Sequence, residues 1–161
     1  MNILIKFQTA LVVLLMTAVF NSYAQQTSDV EKTVNEIVKK HEGSEGVNCI
    51  AVVKGSGLEM IKFMFKKEFG KGFMKGVTSI TIIEYSDAPE ETCMTLRKDL
   101  DVFLSLLQEY DISEEEQFAD NDYLRCFVSV ADDKTLSDFV IAIEDDDAKM
   151  IIYMAGEIKI E

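Results

Sequence analysis

The hydrophobic pattern of residues 124–155 restricts the possible fold most strongly. Apolar and polar side chains alternate from 124 to 130, and two further apolar runs follow at 136–144 and 148–155. Short turns containing aspartate separate the three runs. A period of two is typical of β-strands, and short polar turns join neighbouring strands in antiparallel order. The C-terminal part of the chain is therefore predicted to form an antiparallel β-meander.

Helical spacing dominates the part of the chain before the meander. Apolar residues recur every three or four positions in three segments, each preceded by a serine or proline with a nearby glutamate. These are signals for the start of a helix. Helices are predicted at 29–41, 56–70 and 89–110, a glycine-rich loop at 71–76, and further strands at 47–53, 77–85 and near Gln117. We expect an α+β fold, with about three helices packed on one face of a mostly antiparallel sheet.

Residues 1–24 have the features of an export signal. Lys6 precedes an apolar run, and the small residues Ser22 and Ala24 follow it. The apolar segment 7–20 is shorter than the roughly 20 residues that cross a bilayer. We expect cleavage after Ala24 and a single α+β domain, residues 25–161, that is periplasmic or secreted and soluble. Because the first cysteine is Cys49, no lipid anchor is expected.

The three cysteines, Cys49, Cys93 and Cys126, match no metal motif and include no Cys-x-x-Cys pair. Free cysteines are among the most buried residue types, which favours three buried thiols. A disulfide between Cys49 and Cys126 remains an alternative, because both residues lie in strand-like runs and export would expose them to an oxidising compartment.

The order of these elements and the closing segment MIIYMAGEIKIE resemble a family of exported bacterial proteins catalogued as domain of unknown function 4252. The resemblance covers nearly all of residues 25–161. It implies an exported protein with this α+β order of elements, and it implies no activity and no site residues.

Charge is distributed unevenly along the chain. The formal net charge of −13 disfavours binding to nucleic acid, whose phosphates require basic patches. Residues 84–147 contain 20 acidic and four basic side chains, whereas residues 54–75 contain six lysines and two glutamates. The acidic clusters fall at predicted turns and strand edges, where aspartate is favoured; a weak calcium site is the functional alternative.

The lysine-rich segment 54–75 also has more apolar residues than one buried helical stripe requires. A helix buried on two sides, with its lysines reaching solvent, is the simplest explanation. A docking surface for a protein partner or a second copy is the functional one, and contact with a membrane surface is less favoured. The residues of that possible surface are Met60, Phe63, Met64, Lys66, Lys67, Phe73 and Met74.

No arrangement of nucleophile, base and metal ligands is recognisable in the sequence. The only histidine, His41, lies at a predicted exposed helix end, so we expect no catalytic residue, cofactor or metal. We expect a non-enzymatic interaction protein that uses helix 54–75 to bind an unidentified protein or itself. The alternative is a small-ligand-binding protein or hydrolase with a pocket between the second helix and the sheet.

Overall fold

The computed structural model describes residues 29–52, 55–110 and 123–159, so the export signal and the strand expected near Gln117 lie outside the described residues. The helices are α1 (Asp29–His41), α2 (Ser56–Gly76) and α3 (Glu90–Leu104). The strands are β1 (Asn48–Val52), β2 (Val77–Glu84), β3 (Gln108–Tyr110), β4 (Leu124–Asp132), β5 (Thr135–Glu144) and β6 (Lys149–Lys159). No helix in these ranges is both long and apolar enough to cross a membrane.

The described strands form one sheet in the order β1-β2-β6-β5-β4-β3, and all neighbours are antiparallel. The three C-terminal strands form the predicted meander. Strand β2 pairs with the outer side of β6, and β1 pairs with β2, which joins the N-terminal strands to the same sheet. The α+β class is confirmed.

The helices cover both faces of the sheet, which corrects the expectation of a single covered face. On one face, Ile61 and Phe65 of α2 pack into a cluster that includes Ile152 of β6. On the other face, α1 and α3 contribute to a second cluster, in which Phe103 lies against Tyr153. The central strands are apolar on both faces, with Ile151 and Ile152 facing opposite ways, and each face has to be buried against a layer of its own.

Helix α2 continues to Gly76, although a loop was predicted after Gly70. The reason is tertiary: Phe73 and Met74 pack into the core, and the burial of these two side chains outweighs the low helix propensity of the glycines. The helix then runs directly into β2 at Val77.

Helix α3 is shorter than predicted, because it ends at Leu104 rather than near Tyr110. Residues 108–110 leave the helical stripe and pair with Cys126 to Val128 of β4 as the short edge strand β3. The helical spacing of apolar residues continues past Leu104, so only the pairing with β4 shows that residues 108–110 form a strand.

Candidate functional site

The outer side of α2 carries part of the docking surface expected from the sequence. Leu58, Ile61 and Phe65 face the sheet, whereas Phe63 lies on the opposite side and is 70% exposed. Lys66 is also exposed, and Met60 and Met64, which share one side of the helix, are half-buried. These four residues, Met60, Phe63, Met64 and Lys66, are called the α2 surface below.

Two of the expected docking residues belong to the core instead. Met74 is 2% exposed, and the ring of Phe73 packs edge-on against Phe139 with 5.0 Å between ring centroids. At about 100° per residue, Met74 lies on the opposite side of a straight helix from Phe65. Met74 is buried and Phe73 partly buried because the C-terminal end of α2 is enclosed where it enters β2. The side chain of Lys67 lies outside the described residues.

The described charges near Phe63 sum to a small positive charge, from Lys62, Lys66 and Glu59, whose side chain is 74% exposed. Lys62 lies 3.5 Å from Glu59, one turn earlier, and its aliphatic stem is largely covered. Lys66, one turn after Phe63, is exposed and places a cation beside the ring, whereas the exposed Lys75 lies about 18 Å further along the helix at 1.5 Å per residue. An exposed aromatic ring flanked by methionine and lysine is a combination that suits contact with an apolar, acidic surface.

The structure does not form the Cys49 to Cys126 disulfide. Cys49 is on β1 and Cys126 is on β4, four positions away in the sheet, or about 19 Å at roughly 4.8 Å per strand. The two side chains also lie on opposite faces. A disulfide requires Cα atoms within about 7 Å. Burial raises the pKa of the Cys126 thiol to about 12 and that of Cys49 to about 11, so both stay protonated.

His41 is buried rather than exposed, which corrects the expectation for this helix end. Its Nε2 lies 2.6 Å from Oδ2 of Asp99 on α3, and Lys40 Nζ lies 2.8 Å from the same oxygen. Hydrogen bonds from Lys40 and His41 hold the pKa of Asp99 below its usual value. This cluster joins α1 to α3, and we interpret it as a structural contact between helices.

Sequence reasoning missed a buried carboxylate on the α1 side of the sheet. Asp138 is 1% exposed and accepts hydrogen bonds from the Tyr153 hydroxyl at 2.7 Å and the Ser137 hydroxyl at 2.8 Å. Glu31 of α1 faces Asp138, and burial and then the charge of Asp138 raise the Glu31 pKa. The signal in the sequence was an aspartate inside the otherwise apolar run of β5.

The chemistry open to this carboxylate is limited by its position. Two nearby carboxyl groups can share a proton, so that one acts as a general acid and the other as a general base, as in some enzymes. However, Asp138 lies beneath α1 and is buried, so a substrate could not contact its carboxylate. The hydrogen bond from Tyr153 links Asp138 of β5 to β6, and the one from Ser137 comes from the neighbouring residue of the same strand.

The aspartate clusters in the described ranges behave as turn residues. Asp132 accepts the backbone N–H of Lys134, and Asp145 accepts that of Asp146. Among the residues that the structure describes, no three histidine, cysteine or acidic side chains converge to hold a metal ion. Residues 114–116, 120 and 122, which include the other acidic cluster, lie outside the description.

Comparisons with family models, with curated proteins and with solved structures found no match to this chain. The resemblance to the exported family of unknown function therefore stays a prediction from the order of elements and the closing segment.

Proposed function

We propose that this protein is an exported, non-enzymatic interaction module that binds an acidic protein partner through the α2 surface. The observation that carries the proposal is the exposure of Phe63 on a helix whose other described large apolar side chains are buried or half-buried. Aromatic residues at the centre of an interface contribute most of the binding energy when they enter a pocket on the partner.

The charges around Phe63 favour an acidic partner. Lys66, one turn from Phe63, is exposed on a chain whose net charge is −13, so it is a local exception on an acidic protein. Charge complementarity steers association and excludes partners of the same sign.

The alternative of a ligand pocket between α2 and the sheet has less support. The described side chains of α2 in that layer are apolar: Leu58, Ile61 and Phe65 pack directly onto the strands. A binding site for a small molecule ordinarily places several polar groups around a cavity. Of the buried polar residues, Asp138, His41 and Thr81 lie on the side of the sheet that α1 and α3 cover, and Glu84 on the α2 side is already bonded to Asn48 and to the backbone N–H of Ser86.

A site-specific photo-crosslinker tests the proposal. A photoreactive phenylalanine analogue is placed at position 63, and the matched control carries it at Val102, which is 62% exposed on α3 on the other side of the sheet. The expected result is a discrete protein adduct from position 63 only, lost on Lys66→Glu. Equal adducts from both positions, or none from position 63, would contradict it.

A further inference from the structure

The outer edge of β1 is separate from the α2 surface. Strand β1 is the first strand of the sheet and pairs with β2 on one side. Within the described residues, no strand pairs with its other side. An open strand edge offers backbone N–H and C=O groups to another chain, and proteins commonly protect such edges with charged residues, proline or short length.

The two edges of this sheet differ in that protection. Strand β3, at the far edge, has three residues and carries Glu109 in an ion pair with Arg125. Strand β1 has five residues, Asn-Cys-Ile-Ala-Val, with no charge and no proline. Its only amide side chain, Asn48, donates to Glu84 of the same chain at 2.8 Å. The β1 edge is therefore uncharged in a strongly acidic protein.

The direction of the backbone groups at this edge follows from the hydrogen bonds further into the sheet. The N–H of Tyr85 donates to the carbonyl oxygen of Lys149 on the β6 side. Because backbone groups alternate sides along an antiparallel strand, Glu84 and Ile82 direct theirs to β1, where they are opposite Asn48 and Ile50. The backbone groups of Cys49 and Ala51 consequently point outward, and both residues are half-exposed.

We propose that the β1 edge is a homodimer interface, at which two copies of this chain pair their β1 strands in antiparallel order about a two-fold axis at Ile50. In this register Cys49 of each copy is opposite Ala51 of the other, and these two pairs exchange the outward-facing hydrogen bonds. The register matches the whole strand with itself, as an isologous contact requires. The absence of charge on β1 lets two acidic copies approach here without like charges directly opposed.

The interface is small, so the dimer is expected to be weak and to dissociate on dilution. Stable dimers bury about 1,200–2,000 Å² or more, and one five-residue strand pair provides less. Sedimentation equilibrium of the purified chain should show a monomer–dimer equilibrium at micromolar concentration. A single monomeric species up to millimolar concentration overturns the proposal.

Substitutions at Ala51 distinguish this interface from any other. Ala51→Pro removes the outward N–H and leaves the β1–β2 hydrogen bonds of Asn48, Ile50 and Val52 in place, as proline is tolerated where its missing N–H faces solvent. It should lower the dimer association constant at least tenfold with an unchanged circular dichroism spectrum. The matched variant Ala51→Val keeps the N–H and should dimerise like the wild type. Equal dimerisation of both variants overturns the proposed edge.

The register has its own test. Ala51→Cys places a thiol opposite the native Cys49 of the second copy, at the separation of about 5.5 Å between Cα atoms that a disulfide accepts. Mild oxidation should give a covalent dimer of this variant on a non-reducing gel. Val130→Cys, at a more exposed position across the sheet, controls for random collision and should stay monomeric. Covalent dimers from the control alone, or from both variants to the same extent, overturn the register.

Discussion

The contact between Gly76 and Gly156 gives the sharpest test of how α2 is held on the sheet. A Cβ atom on Gly76 would overlap the carbonyl oxygen of Glu157, and one on Gly156 would overlap the carbonyl oxygen of Gly76. Gly156 also has a φ of +149°, a conformation that L side chains rarely adopt. The end of α2 thus approaches β6 backbone to backbone. We predict that Gly156→Ala strongly destabilises the fold.

Two costs add in this variant. Placing a side chain at a positive φ costs about 1–2 kcal/mol. Forcing a methyl group against backbone that cannot move aside costs about 1–3 kcal/mol, by analogy with overpacked cores. Gly156→Ala should therefore lower the free energy of unfolding by about 2–5 kcal/mol, a large part of the about 5–15 kcal/mol typical of a domain.

Three other glycines separate the two costs. Gly76→Ala adds the overlap at a φ outside the positive range, and we expect about 1–3 kcal/mol. Gly43→Ala adds the positive φ, +85°, with no atom within 4 Å of the new methyl group, and we expect about 1–2 kcal/mol. Gly57→Ala adds neither, since its nearest neighbour is 3.5 Å away, and alanine in a helix should stabilise by about 0.5–1 kcal/mol.

Urea unfolding followed by circular dichroism measures all four variants on one scale. We expect Gly57→Ala to be the most stable, followed by the wild type, then Gly43→Ala and Gly76→Ala, with Gly156→Ala the least stable. If Gly156→Ala is no less stable than Gly43→Ala, the contact with α2 contributes nothing to the destabilisation. Wild-type stability of Gly76→Ala would refute the close approach itself.

Three further predictions concern the polar groups under α1. Lys40 and His41 lower the pKa of Asp99, so this carboxylate stabilises the fold above its unfolded pKa of 3.8, and the stabilisation is lost as the pH falls. Asp99→Asn should therefore be less stable than the wild type near neutral pH. Unfolding measured across the acid range should show this difference closing at low pH. Burial and Asp138 raise the pKa of Glu31, so its ionised form destabilises the fold, and the pH dependence has the opposite sign. Glu31→Gln should gain stability relative to the wild type above pH 4.5. A stability difference that is constant at all pH values would refute the raised pKa of Glu31. Tyr153→Phe removes a hydrogen bond to the buried Asp138 and should cost about 1–3 kcal/mol in urea unfolding, more than Ser137→Ala, whose hydroxyl is half-exposed.

Elements with a strong local signal could be predicted from the sequence. Helix α1 has the predicted bounds, because its apolar spacing and terminal charges are all local. The meander follows from alternation and aspartate turns, which fix strands and their antiparallel order within a short stretch of chain. The exposure of Phe63 could also be anticipated, since it falls outside the stripe formed by Leu58, Ile61 and Phe65.

Other features depend on which segments meet in space. The sequence of α2 contains both the buried stripe and the residues Phe73 and Met74, but only the enclosure of the helix end by the sheet placed those two in the core. Likewise, the sequence shows Asp138 only as a polar residue on a strand. Its burial depends on α1 covering β5 and on the hydrogen bond that the Tyr153 hydroxyl donates to it. The separation of Cys49 from Cys126 follows from strand order, which local propensity does not determine.

Hydrophobic period and turn chemistry thus determined which segments of this chain become helices and strands, with errors where a segment has no partner nearby in sequence. The tertiary structure decided which face each helix covers, which apolar residues of α2 remain outside, and which strand edge carries no charge. Local signals depend on neighbours a few residues apart, whereas burial, strand order and open edges depend on contacts between residues far apart in the chain.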